Sequence, residues 1–197
     1  MFKKKVMMLA ALGVVALPVT VNAVTTQIDV AASFRQAIAV AATDMDFTSS
    51  GTDIQYTTMG AGDTAQMGSD GNIVYGGTLS GPATGTPGVV SITSGTDGET
   101  VQVTCDATAT LGNGAGESIG VNIRVDAEGA EGTYAASNAC NGVAGAAATS
   151  LTLTAGGTDS FIFAGEIDGN TASAGFVGGA YSTTTGGTNV NVDVSYP

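Results

Sequence analysis

The 197-residue chain has no histidine and no tryptophan, and its only lysines, Lys3, Lys4 and Lys5, lie at the extreme N-terminus. Without histidine, neither a Ser-His-Asp nor a Cys-His nucleophilic system can be assembled. Past the N-terminus no lysine remains to form a Schiff base. Two carboxylate pairs stand close in sequence, Asp44 with Asp46 and Glu128 with Glu131. A glycosidase sets such a pair across a sugar-sized cleft, usually with aromatic platforms, and aromatic residues make up only 6% of this chain. The chain is therefore expected not to be an enzyme.

Basic residues are equally scarce. The three lysines, the apolar run 6–17 and Val21-Asn22-Ala23 have the three-part form of a signal peptide, with cleavage expected after Ala23. Pro18 interrupts that run, and no later stretch approaches the ~20 apolar residues of a membrane span. The mature chain is thus expected to be exported without membrane insertion, passing through a bacterial periplasm to the cell surface or medium. Cleavage leaves 197 − 23 = 174 residues, the size of one domain. Arg35 and Arg124 are its only basic residues, 5 − 3 = 2 against 17 acidic ones, for a net charge of 2 − 17 = −15. Such a surface repels nucleic acid and anionic lipid, and neither is an expected partner.

Cysteine occurs twice, at Cys105 and Cys140. In an exported chain the pair is expected to form a disulfide, since neither a C-x-x-C spacing nor histidine suggests metal or redox chemistry.

What the chain has in abundance is glycine, 30 residues, with short alternating apolar runs between turn signals. Strands are expected over 72–75, 89–93, 100–106, 118–126, 151–154, 160–164 and 190–196. They are bounded by turns such as Thr86-Pro87-Gly88, Thr96-Asp97-Gly98, Gly112-Asn113-Gly114, Gly156-Gly157 and Gly186-Gly187. This pattern predicts an all-β antiparallel sandwich over residues 44–197. Asp63, Asp70 and Asn72, and Asp44, Asp46 and Asp53, offer hard oxygen ligands that calcium would accept. No EF-hand spacing is present, and Asp and Asn in such loops commonly cap local turns, so no cofactor is expected.

The two ends of the mature chain alternate most clearly. Val190, Val192, Val194 and Tyr196 face one way, with Asn189, Asn191, Asp193 and Ser195 opposite, as in a strand that completes a sheet. Residues 24–43 alternate likewise through Val24, Thr26, Ile28, Val30, Ala32 and Phe34, then Ile38, Val40 and Ala42. Phe34, Ile38 and Ala41 also fit helical spacing, but the longer period of two favours a strand. Extended at ~3.3 Å per residue, residues 24–40 would reach roughly 50 Å, too long for one sandwich strand. The segment must either bend between sheets or overhang.

The signal peptide, the long first strand, Asp44-Met45-Asp46-Phe47, Gly179-Ala180-Tyr181 and the 192–196 strand with its penultimate tyrosine resemble chaperone-usher fimbrial subunits. The likeness is nearest to pilin-like secreted bacterial domains of unassigned function. It implies an immunoglobulin-like, pilin-like sandwich and a structural subunit of a fimbria-like surface assembly that serves in cell adhesion. Ile28, Val30, Ala32 and Phe34 of one subunit would fill pockets of the next by strand addition. Residues 190–196 would border the groove as the edge a periplasmic chaperone caps. The implied partners are copies of the chain or related subunits. The alternative is a self-complete monomer whose first strand switches sheets and whose Gly/Asp loops bind a ligand, glycan or calcium.

Overall fold

Eleven strands appear in a computed structural model, which describes residues 34–48, 52–143, 145–154 and 156–197. They are β1 (Ala39–Thr43), β2 (Thr64–Met67), β3 (Ile73–Gly76), β4 (Gly88–Ser94), β5 (Thr100–Cys105), β6 (Thr108–Gly112), β7 (Ser118–Ala127), β8 (Asn138–Ala139), β9 (Thr149–Thr152), β10 (Asp159–Asp168) and β11 (Val192–Ser195). Among the described residues the only helical element is a 3-10 turn at Gly169–Thr171.

The two longest strands, β7 and β10, are ten residues each and pair antiparallel from Phe161–Ala127 to Asp168–Gly120. Their alternation fixes the two faces of the sheet. Ile119, Val121, Ile123 and Val125 of β7, with Phe161, Phe163 and Ile167 of β10, are buried on one face; Asn122, Arg124, Glu166 and Asp168 take the other. Each long strand is flanked on its outer side by two short strands end to end. These are β4 and β2 beside β10, and β6 and β8 beside β7. β1 then adds to β4 and β3 to β2, giving eight strands, all antiparallel.

The second sheet has three antiparallel strands in the order β11-β5-β9. Its Val101, Val103 and Cys105 join Ile92, Val125 and Phe161 of the large sheet in one core. Fully burying a side chain of this size contributes ~1.5–3 kcal/mol. The fold is therefore an all-β antiparallel sandwich. A disulfide joins Cys105 at the end of β5 to Cys140 just past β8, and so ties the sheets together. Gly165 is buried in β10; a Cβ there would meet Met45 Sδ at 2.7 Å and Phe47 Cζ at 3.0 Å, so the absent side chain lets residues 45–47 close over the core.

Several boundaries differ from the sequence expectations. β10 runs on to Asp168, because Glu166 and Asp168 fit the outer face of a strand. β9 lies two residues earlier than the expected 151–154. β2 and β6 carry only weak apolar patterns and were not expected; register against β10 and β7 makes them strands. Thr86-Pro87-Gly88 is no chain reversal: Thr86 pairs with Asp46 and Gly88 begins β4. The expected N-terminal strand is regular only from Ala39. Residues 34–38 are irregular, and residues 1–33, which hold the expected signal peptide and most of the expected donor, lie outside the described residues. Residues 34–43 belong to the same compact unit as the body.

The disulfide closes a loop spanning 35 positions, which the loop-entropy model values at about 3 to 4 kcal/mol. Urea unfolding of the paired variant Cys105→Ala/Cys140→Ala should show a loss of roughly that size. Reductant should then change the wild type but not the variant.

Candidate functional site

A sheet ends where strands run out, and two ends of this sandwich are built from the segments that alternate most clearly in the sequence. β1 is one of them. Its sequence, Ala-Val-Ala-Ala-Thr, offers little bulk to either face, and all five residues are exposed. Asp46 and Thr86 exchange both backbone hydrogen bonds, at 2.8 and 2.7 Å. Alternation along the unchanged register makes Ala42–Val90 and Val40–Ile92 bonded pairs too. The N–H and C=O groups of Ala41 and Thr43 consequently point away from β4 along the outer edge.

β11 is the second end. Asp106 N–H donates to Asn191 O at 3.0 Å, so Asp193–Thr104 and Ser195–Gln102 are the bonded pairs that follow. On the far side of β5, Cys105 O accepts from Gly142 N–H at 2.8 Å and Val103 O from Ala148 N–H at 2.9 Å, as this alternation requires. The backbone groups of Val192 and Val194 therefore face outward. Val190, Val192, Val194 and Tyr196 pack half-buried against the core.

Tyr196 connects this end to the N-terminal segment. Its hydroxyl donates to Gln36 O at 3.0 Å and accepts from Thr96 N–H at 2.7 Å; Gln36 N–H in turn donates to Thr96 Oγ1 at 2.6 Å. The Arg35 guanidinium lies 5.1 Å from the Tyr196 ring centroid and forms an ion pair with Glu99 at 3.3 Å. Both ion-pair partners are exposed, at 48% and 41%, which puts that pair in the ~0–1 kcal/mol class. The tie consists of polar contacts, and Phe34 next to it is 90% exposed. Ile28, Val30 and Ala32, the other expected exchange residues, lie outside the described residues.

The Gly/Asp loops use their carboxylates internally. Asp70 accepts from Asn72 N–H at 3.0 Å and Asn72 Nδ2 at 2.7 Å, and Asp46 from Thr48 N–H and Oγ1, both at 2.8 Å. Asp63 accepts from Thr78 N–H at 2.6 Å, Thr78 Oγ1 at 3.0 Å and Gly60 N–H at 2.9 Å. Among the described residues, no group of three or more histidine, cysteine or acidic side chains is gathered to hold a metal. Gly179-Ala180-Tyr181 closes a small aromatic stack, Tyr181 on Phe176 at 4.6 Å and Phe176 edge-on to Tyr56 at 5.5 Å.

Sequence reasoning missed the roles of Gln36 and Thr96 and the polar row Gln66, Glu166 and Asn122 on the outer face of β2, β10 and β7. Their partners are distant in sequence, so spacing carried no signal.

The backbone N–H of Thr78, more than any other contact, holds the Asp63 carboxyl below its ordinary 3.8, and the backbone N–H of Asn191 does the same for Asp106. Both favour the charged form in the fold. The stability they contribute is complete above the unfolded value and is lost as pH falls through the lower folded values. Thermal melts between about pH 5 and about pH 2 should therefore fall for the wild type and fall less for Asp106→Asn.

Loss of the Tyr196 hydroxyl removes two hydrogen bonds of ~0.5–1.5 kcal/mol each. Arg35 and Arg124 are the only tryptic sites past the lysines, and Arg124 lies within β7. Timed digestion read by mass spectrometry should show Tyr196→Phe cut after Arg35 about tenfold faster than wild type. Comparison with protein-family models, curated proteins and solved structures finds no match to this chain.

Proposed function

We propose that the chain is an exported, non-enzymatic structural subunit of a pilin-like surface assembly, joined copy to copy by β-strand addition. The outward backbone of Val192 and Val194, beside apolar side chains already seated on the core, carries this reading. A strand laid there gains main-chain hydrogen bonds and extends an inner apolar face, the chemistry of strand addition. The donor is the alternating segment with Ile28, Val30, Ala32 and Phe34, whose described end leaves Phe34 bare. An apolar edge left open is an aggregation hazard, so a periplasmic chaperone would cover β11 before assembly. The disulfide and the lack of basic residues past Arg124 suit an oxidising exterior and resist tryptic-type cleavage.

A second reading, a self-complete monomer, is favoured by the pairing of β1 with β4 in the same chain and by the Tyr196 tie to Gln36.

Electrophoresis in SDS with and without boiling separates the two. Strand addition predicts a heat-sensitive ladder that collapses to monomer when residues 24–34 are deleted. It also predicts collapse in Val192→Pro, which removes an N–H that β5 does not use and so leaves the subunit folded by circular dichroism. A wild type that is monomeric without boiling supports the second reading and overturns the first.

A further inference from the structure

The row missed in the sequence forms the floor of an open cleft on the outer face of the large sheet, away from both strand edges. Register sets Glu166 of β10 directly between Gln66 of β2 and Asn122 of β7. Gln66 Nε2 donates to Glu166 Oε2, and Asn122 Nδ2 donates to Oε1 at 3.0 Å. The carboxylate is thus held in one orientation by an amide from each neighbouring strand.

Two residues along β7, on the same face, stands Arg124. Its Nη1 donates to Ser137 O at 2.9 Å and Ala135 O at 3.3 Å, and its guanidinium carbon lies 4.8 Å from the Tyr134 ring centroid. Tyr134 is buried, and that burial pushes its phenol above the ordinary 10.0.

The far wall is the segment running from Tyr134 to Cys140, and it is pinned in two ways. The disulfide holds Cys140, while buried Asp126 accepts from Ser137 Oγ at 2.7 Å, Ser69 Oγ at 2.5 Å and Asn138 Nδ2 at 3.3 Å. The open cleft has a volume of about 450 Å³, within the ~300–1,000 Å³ of small-ligand sites. This wall and the hydrogen-bonded floor are fixed before any ligand arrives, which lowers the entropy cost of binding.

The polar groups have capacity left over. Arg124 has five N–H donors, and its hydrogen bonds to backbone among the described residues all run from Nη1; Glu166 accepts one hydrogen bond on each oxygen, and each can take another. The oxygens of Gln66 and Asn122 remain acceptors. Arg124 and Glu166 line one cleft yet form no ion pair with each other among the described residues. One cation and one anion cancel, which removes any net preference for a charged ligand. The acidic surplus of the chain as a whole disfavours an anion further. Fixed planar donors beside fixed planar acceptors match groups that both donate and accept, which are hydroxyls.

We propose that this cleft binds a neutral, hydroxyl-rich ligand, a single saccharide unit, with adjacent hydroxyls bridging Glu166 and Arg124 and the amides of Gln66 and Asn122 at the floor. The site lies on the sheet face, apart from the Gly/Asp loops and from the β11 edge, and does not depend on assembly.

The side-chain amides of Gln66 and Asn122 make the test direct, because both report in 15N-correlated NMR spectra. The purified chain is titrated to about 20 mM with glucose, galactose, mannose and N-acetylglucosamine separately, and with acetate and glycine as charged probes. The expected result is a saturable shift of both amide pairs with at least one sugar, weakened tenfold or more in Glu166→Gln and in Asn122→Ala. Both variants sit on the outer face and should keep the wild-type backbone spectrum. The proposal is overturned if no sugar moves these amides, if acetate or glycine moves them instead, or if the variants bind the sugar as tightly as wild type.

Discussion

Everything in this sandwich hangs from the antiparallel pairing of β7 with β10. It is the longest ladder among the described residues, and each of its two strands carries two further strands along its other side. Its inner face supplies Phe161, Phe163, Ile123 and Val125 to the core, and its outer face supplies Glu166, Asn122 and Arg124 to the cleft. One period of two therefore sets the packing and the polar surface together. A one-residue slip would send Glu166 and Arg124 into the core and expose Phe161, so register is specified by a large energetic penalty.

From that centre outward, no added strand is longer than the one it joins, and the outermost are the least buried. β4 still contributes Val90 and Ile92 to the core; β1 beyond it contributes no buried residue. The small sheet has a buried middle in β5 and half-buried margins in β9 and β11. Stability should follow the same gradient, with the margins opening at lower free energy than the centre. The disulfide runs against this gradient by fastening the end of β5 to the segment beyond β8, two places otherwise held by short ladders.

Legibility followed the same gradient. β4, β5, β7 and β11 were readable because Val and Ile recur at every second position and glycine marks their ends, as at Gly98 and Gly114 with φ near +75°. β2, Thr-Ala-Gln-Met, has one large apolar residue, and its identity as a strand comes from the neighbours that accept it. Alternation over residues 24–43 promised more strand than the described residues contain. Between Phe34 and Ile38 the backbone of Gln36 bonds to Thr96 Oγ1 and Tyr196 Oη rather than to a ladder, and no sequence pattern announces a contact 160 positions away. The Cys105–Cys140 pair was legible for a simpler reason, since two cysteines allow one pairing. The cleft was not, because its parts come from four segments brought together by register alone.

Charge separates the ways in which open edges could meet. Asp193 stands exposed on β11 between Val192 and Val194, and Asp44 follows β1 directly. Two β11 edges laid together would bring their two Asp193 carboxylates into range of each other on bodies that already carry an excess of carboxylates. The segment from Val24 to Arg35 carries one acid, Asp29, and one base, Arg35, and is neutral over its length. Under strand addition, a neutral alternating segment would meet the acidic edge without that repulsion, and its own apolar residues would supply what the half-buried Val192 and Val194 lack. Under strand addition, charge therefore disfavours edge-to-edge pairing of identical strands and leaves donor-to-edge pairing as the lower-energy contact.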